Sequence, residues 1–539
     1  MIRPSMVSVL QTVNSSTSIA RRAALALLFA ALVSPACAEE LSDAALRGKQ
    51  IYHAGESASG RPITVFVSRG SAPIPAGVLP CSGCHGEDGE GRPEGGVVPS
   101  DITWQVLTKE YGHEHDYGRS HPAFDATSIA AAVTHGKDPG GNELDFAMPR
   151  YAMHTNDMSD LIAYLRQMAD DSDPGIDDDS IRVASLLPAS GRRAPDGEAM
   201  RRVMTASIND INDAGGIHGR KLELVVIEGG EDPTDSLWKL RDRLGVGDIF
   251  AMVGGLGEGM EDELSNLAEE LELPMVGPAT RLPNPGDGLS RFSFYLLSGL
   301  AEQSAILGKS LAAERDINIS SLAIVRPQGE PYERAEASLL KEFGEPGDVN
   351  PMTIVYQPPY LDIRATVDSL IDGKAEQVLF LGSASQLRRL AAEARSRGIE
   401  PDLLLPGVFA GREMFDIDPE YSGRLLVGYS TTPADHTVEG VREFELLHER
   451  HELGYQKSAS QISAFVAVQV LAEGLKRAGK NLSREKLVDA LEGLTDYRSG
   501  LMPPISFNHS RRIGALGGYV LSIDATAKRF GEPGDWVAL

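Results

Sequence analysis

The chain has 539 residues, of which 42% are hydrophobic and 24% are charged, and its formal net charge is −26. This length and apolar content predict a folded protein of two or three domains. The negative charge argues against nucleic acid and anionic lipid as partners, because an acidic surface is repelled by phosphate.

Residues 1–38 have the pattern of a secretory signal. Arg21 and Arg22 precede an apolar run, residues 23–33, and small residues follow up to Ala38. The run is too short to span a bilayer comfortably, so we expect cleavage after about Ala38, export to the periplasm and no membrane span in the mature chain. A lipoprotein cysteine at Cys37 is the alternative.

Cleavage would leave only Cys81 and Cys84, which stand in the sequence Cys81-Ser-Gly-Cys-His85. A zinc site would need two further ligands, and the nearest paired histidines are His113 and His115. A thioredoxin-like dithiol would need a strand before the motif, where prolines and glycines stand instead. The spacing is typical of haem c attachment, in which both thiols bond the porphyrin and the histidine binds iron. The single motif therefore favours one covalent haem, with zinc and a dithiol as alternatives.

A helix is predicted to close this region. Leu161, Ile162, Leu165 and Met168 fall on one helical face, and Thr155 or Asn156 can cap the start. Residues 43–168 resemble a class I c-type cytochrome domain, an all-α electron-transfer fold, with residues 43–53 as its first helix and 157–168 as its last.

The cytochrome resemblance implies that Met148, in a Met-Pro pair, is the distal iron ligand. Met153, His135 and His154 are the alternatives. The chain departs from the cytochrome pattern at residues 55–80, which form a connection about twice as long as usual between the first helix and the cysteine motif. This connection contains a strand-like stretch at residues 63–67. Its role is open at this stage.

Residues 169–180 are acidic, contain Pro and Gly, and show no periodicity, which is typical of a linker. The aspartates lack the spacing of a calcium loop. We therefore predict a cytochrome domain at 39–169, a linker at 170–180 and a further domain at 181–539.

From Ile181 onward, strand-like and helix-like stretches alternate. This alternation predicts parallel sheets covered by helices, and about 350 residues predict two lobes. The expected strands are residues 181–187, 222–227, 250–253, 322–325, 353–356, 378–381 and 425–429. Expected helices include residues 196–214, 301–314, 386–398 and 462–479.

Residues 209–226, together with Leu187-Pro-Ala-Ser-Gly191, Val253-Gly-Gly255 and residues 274–280, are similar to type I periplasmic binding proteins of the branched-chain amino acid and amide class. The resemblance implies a two-lobed α/β fold.

Within this fold, the resemblance implies a ligand cleft that includes Ala279, Thr280 and Tyr332. Glu258 stands where a serine-containing loop is usual, and Arg281 is a candidate receiver of an anion. Residues 406–411 offer no carboxylate for a ligand amine, which weakens the case for an amino acid.

No metalloprotease pair, nucleophile elbow or P-loop is present in the sequence, so we expect a carrier and not an enzyme. Our interpretation is a periplasmic haem-c electron-transfer protein with a fused ligand-binding domain. Its expected redox partner is a protein, either a quinoprotein-type dehydrogenase or a terminal cytochrome, and a small molecule is a possible ligand. The alternatives are the solute-binding component of an ABC importer with an accessory haem, as in amino acid transport, and a haem-based sensor.

Overall fold

The protein is described from a computed structural model, which covers residues 41–68, 70–91, 96–115, 118–283, 290–313, 319–344 and 351–539. The expected signal sequence lies outside these residues. The chain divides into two compact units, the first ending at Asp171 and the second beginning at Ser172. Within the described ranges, no helix combines the length and apolar character needed to cross a membrane.

The first unit is mainly helical, as expected for the cytochrome domain. Its helices are α1 (Asp43–Ala54), α2 (Ser82–His85), α3 (Trp104–Leu107), α4 (Ala126–His135) and α5 (Thr155–Gln167). Its short strands are β1 (Thr64–Phe66), β2 (Ile74–Pro75), β3 (His113–Glu114), β4 (Ser120–His121) and β5 (Arg150–Ala152).

Helices α1 and α5 pack closely against each other. A Cβ atom added at Gly48 would lie 2.0 Å from the carbonyl oxygen of Asp160, so only glycine allows this approach. The apolar residues predicted to share one helical face are all buried, three of them in α5 and Met168 just after its end. The cap is His154, whose side chain accepts the Asn156 N–H, in place of the expected Thr155 or Asn156, and the helix begins at Thr155.

The long connection at residues 55–80 forms part of a three-stranded antiparallel sheet. Strand β1 pairs with β2 on one side and with β5 on the other, where Val65 faces Tyr151. Strand β5 joins the loop that carries Met148 to the residue before helix α5. The additional segment therefore braces the chain around the candidate distal ligands.

Acidic residues at the unit boundary are hydrogen-bonded within their own units. In the first unit, Asp171 accepts bonds from Lys49 and from the Tyr164 hydroxyl. In the second unit, Asp173 accepts the Arg484 backbone N–H.

The second unit contains two sheets, which define two lobes. Lobe 1 has a six-stranded, all-parallel sheet in the order β16-β10-β9-β8-β6-β7. Its strands are β6 (Ser180–Pro188), β7 (Lys221–Gly229), β8 (Ala251–Val253), β9 (Met275–Val276), β10 (Ser293–Leu297) and β16 (Ile513–Ala515). Its helices are α6 (Ala194–Asp213), α7 (Pro233–Leu244), α8 (Glu261–Glu270), α13 (Val438–Arg450), α14 (Ser458–Ala478) and α15 (Arg484–Glu492).

Lobe 2 has an eight-stranded sheet in the order β12-β11-β13-β14-β15-β17-β18, with β19 also paired to β17. The five strands from β11 to β15 run parallel, and β17 runs antiparallel to β15. The strands are β11 (Leu322–Pro327), β12 (Met352–Tyr356), β13 (Gln377–Phe380), β14 (Asp402–Pro406), β15 (Leu425–Tyr429), β17 (Gly517–Asp524), β18 (Arg529–Phe530) and β19 (Val537–Ala538). The helices are α9 (Leu300–Ala313), α10 (Glu330–Leu340), α11 (Ile363–Asp372) and α12 (Ala384–Ser396).

Candidate functional site: haem anchor and ligand cleft

The two cysteines lie on either side of the first turn of α2. Cys81 is the residue before the helix and already has helical backbone angles, and Cys84 is its third residue. Both thiols are free; Cys81 is half-buried against the core of the unit and Cys84 is exposed. Burial raises the pKa of the Cys81 thiol to about 12.

His85 ends α2 and is 8% exposed. Its Nδ1 lies 2.9 Å from the backbone oxygen of Ser100. Because a carbonyl oxygen only accepts, Nδ1 carries the proton and Nε2 has a free lone pair. Burial also lowers the pKa of His85, which favours the neutral ring. A neutral imidazole with a bare Nε2 is the form that binds a metal ion.

Two buried tyrosines hydrogen-bond the backbone just before and just after the Cys81–His85 motif. The Tyr52 hydroxyl, on α1, donates to the backbone oxygen of Gly86 at 2.7 Å. The Tyr151 hydroxyl, on β5, donates to the backbone oxygen of Leu79, also at 2.7 Å. The motif is therefore tied both to the first helix and to the small sheet.

Met148 lies in a loop that the Arg150 guanidinium holds together. This group donates to the backbone oxygens of Leu144, Asp145 and Met148 itself. A Cβ atom at Gly136 would lie 1.9 Å from Arg150 Nε, so glycine there makes room for the arginine. Met148 is half-buried and packs against the core of the first unit.

The alternative distal ligands occupy different environments. Met153 follows β5 and is half-buried against the same core as Met148. His135, the last residue of α4, and His154, which uses Nδ1 to cap α5, are both exposed.

The histidines considered for zinc lie on the hairpin of β3 and β4. The structure places His121 beside His113 and His115, and the ring centroids of these three histidines are 4.5–6.1 Å apart. Arg119 Nη2 lies 2.7 Å from His115 Nε2. Across the described ranges, no three His, Cys, Asp or Glu side chains are arranged to hold a metal ion.

The residues of the first unit fit a covalent haem. Two free thiols flank one helical turn, the next residue is a neutral histidine with its lone pair available, and a methionine sulfur lies in a fixed loop on the same core. When bound by such a set, haem iron supplies one-electron transfer.

Lobe 1 of the second unit contains a cavity of about 290 Å³ at the carboxyl ends of its strands. This edge is where open parallel sheets bind ligands. Its walls combine apolar and charged side chains. The lining residues include Leu186, Ser190, Arg192, Arg193, Glu231, Leu256, Glu258 and Met260.

The structure brings the predicted cleft residues together. Glu258 lies between two arginines, 3.5 Å from Arg193 and 3.9 Å from Arg281. Burial raises the pKa of Tyr332 in lobe 2, and the positive charge of Arg281 partly offsets that rise. Tyr332 stacks on Phe409, with ring centroids 6.4 Å apart.

Ala279 and Thr280 follow β9 at the edge of the cleft. Ala279 bridges to Leu256, which lines the cavity. The Thr280 hydroxyl donates to Glu261 at 2.8 Å, an acceptor that the sequence did not indicate.

Comparison with protein families agrees with this division of the chain. A model described as "Periplasmic binding protein" matches residues 180–528, and one described as "Cytochrome c" matches residues 77–169. The chain belongs to the periplasmic binding protein family. It also carries a cytochrome c domain in its first unit.

Curated relatives align with the binding-protein domain. A "Leu/Ile/Val-binding protein homolog 1" from Brucella abortus is 19% identical over 306 residues, which cover 57% of this chain and 80% of the relative. The "Leucine-, isoleucine-, valine-, threonine-, and alanine-binding protein" of Pseudomonas aeruginosa is 23% identical, covering 59% of this chain and 83% of that protein.

Solved structures share the fold of the periplasmic binding protein domain. A branched chain amino acid ABC transporter from Thermus thermophilus with bound valine gives a TM-score of 0.53 at 16% identity, covering 67% of this chain and 97% of that one. A fatty acid ABC transporter substrate-binding protein from Thermomonospora curvata gives 0.52 at 18% identity, covering 66% and 91%.

A buried polar network joins the two lobes of the periplasmic binding protein domain. The chain passes between the lobes at three places, near Ser298, Ser430 and Gly517. The Ser298 hydroxyl accepts the Gly517 N–H and donates to the Ala515 backbone oxygen, and the Ser298 backbone oxygen accepts the Ser430 hydroxyl. Gln303 donates to Ser298 and Ser430 and accepts the Val408 N–H from the lobe 2 edge of the cleft. Gln303 was not among the residues predicted from the sequence. A polar residue on the buried face of a predicted helix is the signal that indicates such a role.

Proposed function

We propose that this chain is a periplasmic haem-c electron-transfer protein whose fused binding domain engages a small molecule. We further propose that it serves a quinoprotein-type dehydrogenase chain, through a redox partner protein. Export of a signal-bearing precursor, with a cytochrome domain at 39–169, a linker at 170–180 and a binding domain at 181–539, is part of this proposal.

The observation that carries the proposal is the state of His85. Its Nδ1 is held by the Ser100 backbone oxygen, while the free thiols of Cys81 and Cys84 lie within the preceding turn. We assign Cys81 and Cys84 as the thioether positions of one haem, His85 as the proximal ligand and Met148 as the distal ligand. With both axial positions filled, the iron would suit electron transfer, and we propose no catalytic role for the chain.

Met148 is preferred over Met153 because three carbonyl contacts from Arg150 fix the loop that carries it. The M148A variant should lose the absorption of methionine-ligated haem, bind carbon monoxide and show a lower midpoint potential. M153A is the matched control and should keep the wild-type spectrum. The reverse pattern would transfer the role to Met153, and carbon monoxide binding by the wild type would favour a haem-based sensor.

The carrier role is tested by electron transfer itself. The purified holoprotein should be reduced by a quinoprotein alcohol dehydrogenase and its substrate within seconds, and slowly by the substrate alone. If mixing leaves the haem oxidised while a chemical reductant reduces it, the dehydrogenase part of the proposal is wrong.

A second candidate function is the solute-binding component of an ABC importer with an accessory haem. It is favoured by the likeness of the second unit to substrate-binding proteins of such importers. Deletion of the gene should then abolish uptake of one solute, and a C81A/C84A variant without haem should restore that uptake. A pure electron carrier should show neither effect.

A further inference from the structure

The carboxylate of Glu261 is held by donors from two segments at the edge of the lobe 1 cleft. Its Oε1 accepts the Thr280 hydroxyl at 2.8 Å, and its Oε2 accepts the Gly259 N–H at 2.9 Å. Thr280 follows β9, and Gly259 lies between β8 and α8. Both oxygens of this carboxylate therefore have a donor from the cleft edge.

The Thr280 hydroxyl has no proton left for a ligand. A threonine hydroxyl carries one hydrogen, and here it is donated to Glu261. The oxygen of the same hydroxyl also accepts the Leu282 N–H at 3.0 Å. Thr280 is thus occupied by the chain itself.

Two arginines at this edge of the cleft also face a carboxylate of the chain. Arg193 and Arg281 lie on either side of Glu258, a residue of the cavity wall. Arg192 lines the cavity but is exposed at its rim, where water screens an ion pair and leaves it little net stability.

We propose that Glu261 is a built-in carboxylate that occupies the Thr280 hydroxyl and the Gly259 N–H at this cleft edge, so that the domain selects a ligand without a carboxylate. This inference rests on the proposed ligand-binding function. It separates the chain from relatives whose names state that they bind leucine, isoleucine and valine.

The physical reason is like-charge repulsion at shared donors. A ligand carboxylate seeking Thr280 would meet the Glu261 carboxylate already bound there, and two such groups cannot both be ionised at low cost. Burial raises the pKa of Glu261, and the hydrogen bonds from Thr280 and Gly259 partly offset that rise because they stabilise the ionised carboxylate. An uncharged ligand avoids this repulsion.

The test uses the full-length holoprotein with sodium acetate and L-leucine as probes, followed by calorimetry and thermal unfolding at neutral pH. The wild type should bind neither probe in a saturable way. E261A frees the Thr280 hydroxyl and the Gly259 N–H, and should gain acetate binding. The double variant E261A/T280V should bind acetate at least about tenfold more weakly than E261A, a loss of about 1.4 kcal/mol.

E263A is the matched control, because Glu263 is an exposed acid in the same helical turn. It should gain no acetate binding. If E261A does not fold, E261S provides the same test with a residue that is favourable near a helix start.

Saturable binding of L-leucine or acetate by the wild type would overturn the proposal, as would a folded E261A or E261S that gains no acetate binding. The ligand-binding function fails by a different result: a panel of uncharged alcohols, amides and aromatics that leaves the wild type unshifted in calorimetry. That failure would leave the acetate result of E261A intact, so the two ideas are separable.

Discussion

The two units differ in how completely their own side chains fill the hydrophobic core. The core of the first unit is small, and Cys81, Met148 and Met153 are only partly buried against it. The core of lobe 1 alone joins a six-stranded sheet to helices on both sides, with residues such as Val183 and Val253 fully buried. We infer that the first unit needs the proposed covalent haem to complete its core, whereas the second is stabilised by its own side chains.

The strongest way to break this comparison is to remove both thiols. In C81A/C84A we expect complete loss of covalent haem and unfolding of the first unit, because the proposed haem supplies much of its apolar contact area. Limited proteolysis with mass spectrometry should then degrade the first unit and leave residues 172–539 intact. The S82A variant, with both cysteines present, is the control; a protease-resistant first unit in C81A/C84A would refute the comparison.

A smaller effect is expected at the crossing of α1 and α5. G48A places a Cβ atom 2.0 Å from the Asp160 carbonyl oxygen, and should destabilise the first unit by about 3 kcal/mol. Urea unfolding followed by haem absorbance measures it, and far-ultraviolet circular dichroism follows the second unit.

The matched variant for this crossing is G83A, whose new Cβ would meet only Pro80 at 3.9 Å. It should unfold near the wild-type midpoint. Equal destabilisation by G48A and G83A would argue against a tight helix crossing.

In the second unit, the lobe crossings depend on Gln303, which is 4% exposed. Q303L leaves the Val408 N–H without its acceptor and should lower the unfolding free energy of this unit by about 2 kcal/mol. The unfolding of the first unit, followed by haem absorbance, should not change.

Q469L is the comparison for Q303L, since Gln469 Oε1 is buried without a partner and Nε2 donates only to the Glu443 carboxylate, an exposed bond of 3.2 Å. It should be nearly neutral. A Q303L protein as stable as Q469L would mean that the polar network contributes nothing to stability.

The smallest effect is a pH dependence at Asp210 on α6. Burial opposes ionisation of Asp210, but hydrogen bonds from His451 and Arg450 outweigh it and hold its pKa below 3.8. A depressed pKa gives stability that is present above pH 4 and is lost as the pH falls through the folded value. D210N should cost about 1 kcal/mol at pH 7, and this cost should shrink as the pH falls below 4, as measured by chemical unfolding. A constant difference across this range would show that the carboxylate charge is not involved.

Much of the fold was predictable because it depends on local pattern. All seven strands expected from Ile181 onward are present within one or two residues of their predicted ends, since buried parallel strands are continuous apolar runs. The strands β9, β10, β14 and β16 to β19 were not individually predicted. Several are only two or three residues long, and β17 is recognised by its antiparallel partner β15 rather than by its own sequence.

The candidate sites were likewise predictable from the sequence only in part. Cys81, Cys84 and His85 were predicted as haem residues from spacing alone, because haem attachment requires adjacent positions in the chain. The role of residues 55–80 could not be deduced from the sequence, because strand β1 finds its partner β5 more than 80 residues later.

By itself the sequence therefore determined the candidate haem motif, the alternating α/β pattern and the division into two domains, all of which are properties of neighbouring residues. Only the tertiary structure showed that Ser100 sets the tautomer of His85, that Arg150 fixes the Met148 loop and that Glu261 occupies Thr280. Each of these is a hydrogen bond across a turn or between segments, and hydrogen bonds of this kind depend on where folding brings the donor and the acceptor, which no residue pattern specifies.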